Sequence, residues 1–185
     1  GNTDTATANV TVEDNIAPIA IAQNIIVQLD ASGNATITTA QIDNGSNDNC
    51  SIASMTLDVS TFSCADIGTN TVTLTVTDTS GNTDTENAIV TVEDTIAPIA
   101  IAQNITVQLD VSGNATITPA QIDNGSNDNC AIASMTLDIS NFTCANLGAN
   151  TVTLTVTDTS GNSNSATAIV TVEDTIAPIA IAQNI

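Results

Sequence analysis

Apolar and polar residues alternate along most of this chain, and the alternation has period two. The clearest run is Thr71-Val-Thr-Leu-Thr-Val-Thr-Asp78, with Val72, Leu74 and Val76 on one face and threonines on the other. Such a run predicts a half-buried strand. Ile25, Val27 and Leu29 alternate with Asn24, Ile26 and Gln28, which predicts a first strand over 19–29. Asp30-Ala-Ser-Gly-Asn34 reads as a turn, Ala35–Ile42 as a second strand and Asp43–Asn49 as a polar loop. Cys50 opens a third strand with Met55, Leu57 and Val59 inward, and Thr61–Gly68 reads as a return. Thr79–Asn82 turns the chain into a last strand, Ala88–Glu93, and Ala8–Asp14 reads as the last strand of a preceding unit. No stretch carries a helical period. Short alternating strands separated by turn residues predict an all-β antiparallel sandwich.

The pattern is stated twice. Thr91-Val-Glu-Asp-Thr-Ile-Ala-Pro-Ile-Ala-Ile-Ala-Gln-Asn-Ile105 recurs at 11–25, with Asn15 for Thr95, and again at 171–185, each time 80 residues away. A fixed period marks a repeat array. The expected organisation is a C-terminal strand of a preceding repeat at 1–14, whole repeats at 15–94 and 95–174, and the first strand of a following repeat at 175–185. The two whole repeats differ at 16 of 80 positions. The chain begins and ends in mid-repeat, so it reads as a window cut from a longer protein. No membrane span is visible in this window. The repeated stretch is the handover between modules, because Ala97-Pro98 forces an extended connector.

Composition removes whole classes of function. The chain has no Lys, Arg, His, Trp or Tyr, and its 20 carboxylates give a formal net charge of −20. Nothing can neutralise phosphates, so nucleic acid is not a partner, and an anionic membrane surface repels the chain. Histidine-based catalysis, histidine-ligated zinc and a Lys–Asn isopeptide bond are excluded. Apolar content of 42% is enough to build cores, so disorder is not expected. The Thr71, Thr73, Thr75, Thr77 row suits the solvent face of a strand better than an ice-binding array.

Asp128-Asn-Cys130, the 150–158 strand, Asp158-Thr-Ser-Gly-Asn162 and Val170-Thr-Val-Glu-Asp174 resemble the hyalin repeat (HYR) module, and the resemblance covers both whole repeats. It implies an immunoglobulin-like sandwich of extracellular adhesion proteins and no catalytic residue. The paired-cysteine, Lys-free version is most similar to the repeat arrays of Bacteroidetes surface adhesins, including those of gliding motility. The implied location is extracellular, at the cell surface.

Folding the predicted strand order into space brings acidic segments together. With the N-terminal end of a module at the top, the connector, the 123–129 loop and the 158–162 turn all lie there. Asp94, Asp123, Asp128 and Asp158 then converge, with Glu93 near and Asn124, Asn127 and Asn162 adding neutral oxygens. The preceding repeat offers Glu13, Asp14, Asp43, Asp48, Asp78 and Asn82. Carboxylates without counter-cations repel, and calcium, which takes about six to eight oxygens, relieves this. Calcium is therefore the expected cofactor, against a reading in which Asp and Asn only form turns. Glu173-Asp174 lacks a following module and is expected to be incomplete. Asp110 with Asn114 is a weaker candidate, better read as a turn.

Cys50, Cys64, Cys130 and Cys144 form an even set, expected to be oxidised outside the cell. Within-repeat pairs, Cys50–Cys64 and Cys130–Cys144, are expected because each repeat carries two cysteines; such a loop stabilises by about 3 kcal/mol. An uninterrupted third strand would separate the members of each pair, which keeps Cys64–Cys130 open as an alternative. Metal-binding thiols come third. Thr5, Thr95 and Thr175 follow Asp as in the Asp-Thr/Ser-apolar O-glycosylation motif of Bacteroidetes, and Asn114-Ala-Thr116 is a sequon.

The leading expectation is a structural stalk of an extracellular adhesin or surface filament, its tandem repeats stiffened by calcium at the junctions. Its partners would be neighbouring repeats of the same chain, with surfaces or polysaccharides reached through other domains. The alternative is a carbohydrate- or surface-binding module using the junction-end loops, though no Trp or Tyr can stack on sugars. An enzyme is the third class: Asp123 and Asp158 could do acid–base work, but crowding by other carboxylates argues against it.

Overall fold

A computed structural model describes residues 1–183. The expected strands are largely realised, in a nearly all-β chain of two compact units. The first unit comprises Gly1–Gln28 with Asn34–Glu93, and the second comprises Leu29–Gly33 with the residues from Asp94 onward. Asn184 and Ile185, the end of the expected 175–185 strand, lie outside the described residues.

In the first unit the strands are β1 (Ile25–Gln28), β2 (Asn34–Thr36), β3 (Ile52–Leu57), β4 (Thr61–Ser63), β5 (Gly68–Asp78) and β6 (Thr83–Glu93). They form a four-stranded sheet in the order β1-β6-β5-β3 and a two-stranded sheet, β2-β4. The alternation in β5 is realised: Val72, Leu74 and Val76 are fully buried. Ala88, Val90 and Val92 of β6 are buried with them, as are Ile37, Ile42 and Phe62. Removal of these side chains from water is the main force closing the two layers.

The second unit repeats the design with β7 (Ile105–Gln108), β8 (Asn114–Thr116), β9 (Ile132–Leu137), β10 (Asn141–Thr143), β11 (Gly148–Asp158) and β12 (Ser163–Glu173). Its sheets are β7-β12-β11-β9 and β10-β8. Its core holds Leu109, Ile117, Ile122, Phe142, Val152, Leu154, Val156, Ala168, Val170 and Val172.

Four features depart from the sequence reading. First, β1 pairs with β6 in parallel, Ile25 opposite Val90 and Gln28 opposite Glu93; β7 and β12 do the same. All other pairs are antiparallel. Second, the predicted 19–29 strand is split. Ile19 and Ala22 bridge to Asn47 and Asp43, and only Ile25–Gln28 crosses to β6. The polar loop holds the first half through Ile19 N–H to Asn47 O at 2.8 Å and Ile21 N–H to the Ser46 hydroxyl at 2.9 Å.

Third, the second predicted strand ends early in a single helical turn, α1 (Thr39–Ile42), with α2 (Pro119–Ile122) in the second unit. A capping box explains it: the Gln121 side-chain oxygen accepts from the Thr118 N–H at 2.8 Å, and Pro119 sits at the first helical position. Four residues are too short to show a period, but Thr-x-x-Gln with that proline was a legible signal. Fourth, residues 1–14 carry no strand. Their counterpart β6 is held between β5 and β1, and residues 1–14 have no such neighbours among the described residues.

The cysteines also differ. Cys64 and Cys130 are disulfide-bonded, and Cys50 and Cys144 are free and exposed. The expected pairs Cys50–Cys64 and Cys130–Cys144 do not form. In the second unit Cys130 adjoins Asp128, whereas the Cys144 thiol lies 3.8 Å from the Gly113 carbonyl in the opposite turn. The six residues of β9 between them span about 20 Å, far beyond disulfide reach.

Candidate metal centre

The second unit gathers three carboxylates. Asp94, Asp128 and Asp158 each place one oxygen within 4.8 Å of the others. Asp94 begins the connector, Asp128 ends the polar loop and Asp158 ends β11. A register shift between Thr157 and Asp158 accompanies the pairing with β9, and such bulges re-aim side chains. Asp158 is 2% exposed and Asp94 6%. The first unit repeats the cluster with Asp14, Asp48 and Asp78, the last 2% exposed.

Hydrogen bonds orient these groups without exhausting them. Asp158 Oδ1 accepts from the N–H groups of Ser160 at 2.9 Å and Asn162 at 2.8 Å, and Oδ2 from Asn162 Nδ2 at 2.8 Å. Asp94 Oδ1 accepts from the Ile96 N–H at 3.1 Å and Asn129 Nδ2 at 3.2 Å. Asp128 Oδ2 accepts from the Cys130 N–H at 2.9 Å. The other oxygens, Asp94 Oδ2 and Asp128 Oδ1, are buried and have no hydrogen-bond partner, and the same is true of Asp48 Oδ1.

Buried, unpartnered carboxylate oxygens are costly. Two charges 4.8 Å apart repel by about 3–4 kcal/mol at an effective dielectric of about 20. No Lys, Arg or His exists in the chain to offset this. The donors are hard oxygens, which suit calcium rather than a soft or imidazole-bound metal. The residues present therefore fit a hard divalent cation.

The expected ligands divide. Asp94, Asp128 and Asp158 are brought together, as are Asp14, Asp48 and Asp78. Asn162 and Asn82 stand beside them in a different role. Their amide nitrogens donate to Asp158 and Asp78, and to the carbonyls of Asp94 at 3.1 Å and Asp14 at 3.1 Å, tying the connector to the β-turn. Asp123 and Asp43 lie outside both clusters. Each closes its own loop, accepting the Ser126 or Ser46 N–H at 2.9 Å. These serine hydrogen bonds, side chain first, outweigh burial and hold both carboxyls below the usual range.

Glu93 accepts from Gln28 Nε2 at 2.7 Å and is in neither cluster; Glu13 is exposed and also outside. Asp174 is exposed, its carboxylate on the Ile176 N–H at 3.0 Å. Asn129, which touches Asp94, was not among the predicted residues; its place between Asp128 and Cys130 was the available signal.

At Asp78 burial works to raise the pKa, but hydrogen bonds from Asn82, Ser80 and Gly81 win and hold it low. The Asp14 carboxylate, hydrogen-bonded to the Cys50 thiol, pushes that thiol above its ordinary range. Thr5, Thr95 and Thr175 are all exposed. No helix among the described residues is long and apolar enough to cross a membrane.

No protein-family model and no curated protein matches the chain. Among solved structures it is similar to human mucin-like protocadherin EC1-2, at 16% identity over 85% of this chain and 100% of that one, with a TM-score of 0.42. Human protocadherin-24 EC1-2 gives 12% identity over 86% and 100%, TM-score 0.45. Drosophila N-cadherin EC1-4 gives 15% over 85% and 50%, TM-score 0.43. The chain spans 51% of the protocadherin gamma B7 EC1-4 structure, at 15% identity and a TM-score of 0.39. Likeness at these scores assigns no family.

Proposed function

We propose that the chain is a structural segment of an extracellular adhesin or surface filament, a tandem array whose connectors are held by calcium. The observation that carries this is the pair of buried, unpartnered oxygens on Asp94 and Asp128, beside Asp158, in a chain without a single basic side chain. Asp94 belongs to the connector, while Asp128 and Asp158 belong to the second unit's loops. An ion ligated by all three would pin the connector to that unit. Asp14, Asp48 and Asp78 would act alike in the first unit. The 80-residue repetition and the hyalin-repeat resemblance of the sequence support a structural array. The exposed Thr5, Thr95 and Thr175 are candidate O-glycosylation sites of such a surface protein.

Small-angle scattering of the chain in calcium and then in EGTA tests the reading, with isothermal titration for stoichiometry. Calcium is expected to bind once per cluster, and chelation to broaden the distance distribution and shift its maximum. An unchanged distribution, with no heat of binding, removes calcium from the proposal and leaves the acidic loops as turns.

A further inference from the structure

Asparagine is followed by glycine at two places in the sequence, Asn44-Gly45 and Asn124-Gly125, in the polar loop of each unit. All four residues are exposed. A Cβ added at Gly45 or Gly125 would meet nothing within 4 Å, and these glycines sit at φ +92° and +89°. Their amide nitrogens are therefore unshielded by any side chain of their own or of a neighbour. The carboxamides of Asn44 and Asn124 make no hydrogen bond among the described residues. Other asparagines are held. Asn162 Nδ2 donates to Asp158 Oδ2 at 2.8 Å, and Asn150 Nδ2 to the Asn146 carbonyl at 2.7 Å. Asn104 Oδ1 accepts from the Ile169 N–H at 2.7 Å. These three precede Ser163, Thr151 and Ile105, whose side chains crowd the next nitrogen.

We propose that Asn44 and Asn124 are sites of spontaneous deamidation, with water as the co-reactant. The glycine nitrogen gives its proton to solvent and attacks the asparagine Cγ, forming a C–N bond. The carboxamide nitrogen takes up a proton and leaves as ammonia, closing a five-membered succinimide. Water then adds to one of the two ring carbonyls. Opening at Cγ gives aspartate; opening at the main-chain carbon gives isoaspartate, whose backbone runs through the side chain. One water is consumed, one ammonia is released and one carboxylate is gained, with no change of oxidation state. In the second unit the Gly125 N–H meets Asp123 Oδ2 at 3.3 Å, beyond the usual range, so this nitrogen is weakly held.

The loop is fastened on both sides of the reacting peptide. The Asn124 N–H donates to the Ile101 carbonyl at 2.9 Å, the Ile101 N–H to the Ser126 hydroxyl at 2.9 Å and the Asn127 N–H to the Ile99 carbonyl at 3.1 Å. In the first unit Asn44, Ile21 and Asn47 make the same bonds to Ile21, Ser46 and Ile19. Isoaspartate inserts an extra backbone atom between these fastenings, so they cannot all keep their register. Asp128 and Asp48 follow directly, and the slip draws them from their clusters. That consequence rests on the proposed calcium site; the deamidation itself does not.

The test warms the folded 185-residue chain in mildly alkaline buffer and follows intact mass, peptide maps and enzymatic methylation of isoaspartate. The expected result is two successive exchanges of NH2 for OH, at Asn44 and Asn124, before any other asparagine reacts. Asn44→Gln with Asn124→Gln should abolish this early phase, because the longer side chain closes its ring far less readily. An unchanged mass, while a urea-unfolded control deamidates at both positions, would overturn the proposal. So would conversion that begins at another asparagine. Calcium titration of the aged chain, beside Asn124→Asp, reads the consequence: isoaspartate should weaken binding, whereas aspartate on a normal backbone should not. If fresh chain takes up no calcium, the metal reading fails, and the peptide maps still decide the deamidation.

Discussion

At the scale of single residues, two aspartates of similar sequence context behave differently. Asp128 leaves one oxygen buried and unpartnered, whereas Asp123 spends its carboxylate on Ser126 and Gly125. Asp128→Asn is therefore expected to weaken calcium binding at the second cluster by at least about tenfold, or 1.4 kcal/mol. Asp123→Asn should change affinity little and loosen the polar loop instead. Isothermal titration of both variants separates the two roles.

Asp138 makes a pH prediction. Its carboxylate accepts from the Thr153 N–H at 2.7 Å and the Ile139 N–H at 2.8 Å. The Thr153 bond leads the effects that hold its pKa below 3.8, burial opposing. Asp58 is held low in the same way by Thr73. A depressed folded pKa stabilises above the unfolded value and loses that stability as pH falls through the folded one. Asp138→Asn should remove part of the acid-dependent loss below about pH 4, a contribution of about 1 kcal/mol for so exposed a bond. Urea midpoints at pH 7 and pH 3 check it.

At the scale of elements, burial and propensity were legible and the connections less so. The Val72, Leu74, Val76 face of β5 was plain in the alternation and is fully buried. Val59, assigned inward with Met55 and Leu57, is 40% exposed because β3 stops at Leu57 and the alternation no longer applies. The one-turn helix escaped because a periodic signal needs length, and only its cap was written in the sequence. That turn matters: Ile122 is completely buried, and Ile122→Ala should cost about 3–4 kcal/mol. Ile26→Thr, at a position 64% exposed where the second repeat already has Thr106, should stay within about 0.5 kcal/mol. Chemical denaturation of the two variants gives the contrast. The acidic convergence was legible because strand direction alone decides which loops share an end. Which carboxylates point inward was not, since that depends on local turns such as Asp123 to Ser126.

At the scale of the whole molecule, composition makes a prediction independent of geometry. Trypsin should leave the chain uncut even after reduction and unfolding, because it holds no Lys or Arg. Intact mass after digestion checks this. A charge of −20 with no basic side chain favours expansion, and the cation proposed for the two clusters would offset part of it.

The parallel pairing of β1 with β6, and of β7 with β12, has a mechanical consequence. Within each unit these are the first and last strands, and they lie side by side over four residue pairs. Tension applied to the two ends of a unit pulls such strands in opposite directions along their length. Their hydrogen bonds are loaded in shear and must fail together, whereas a terminal antiparallel hairpin would peel open one bond at a time. Each unit thus meets a pull along the chain with its most cooperative set of bonds.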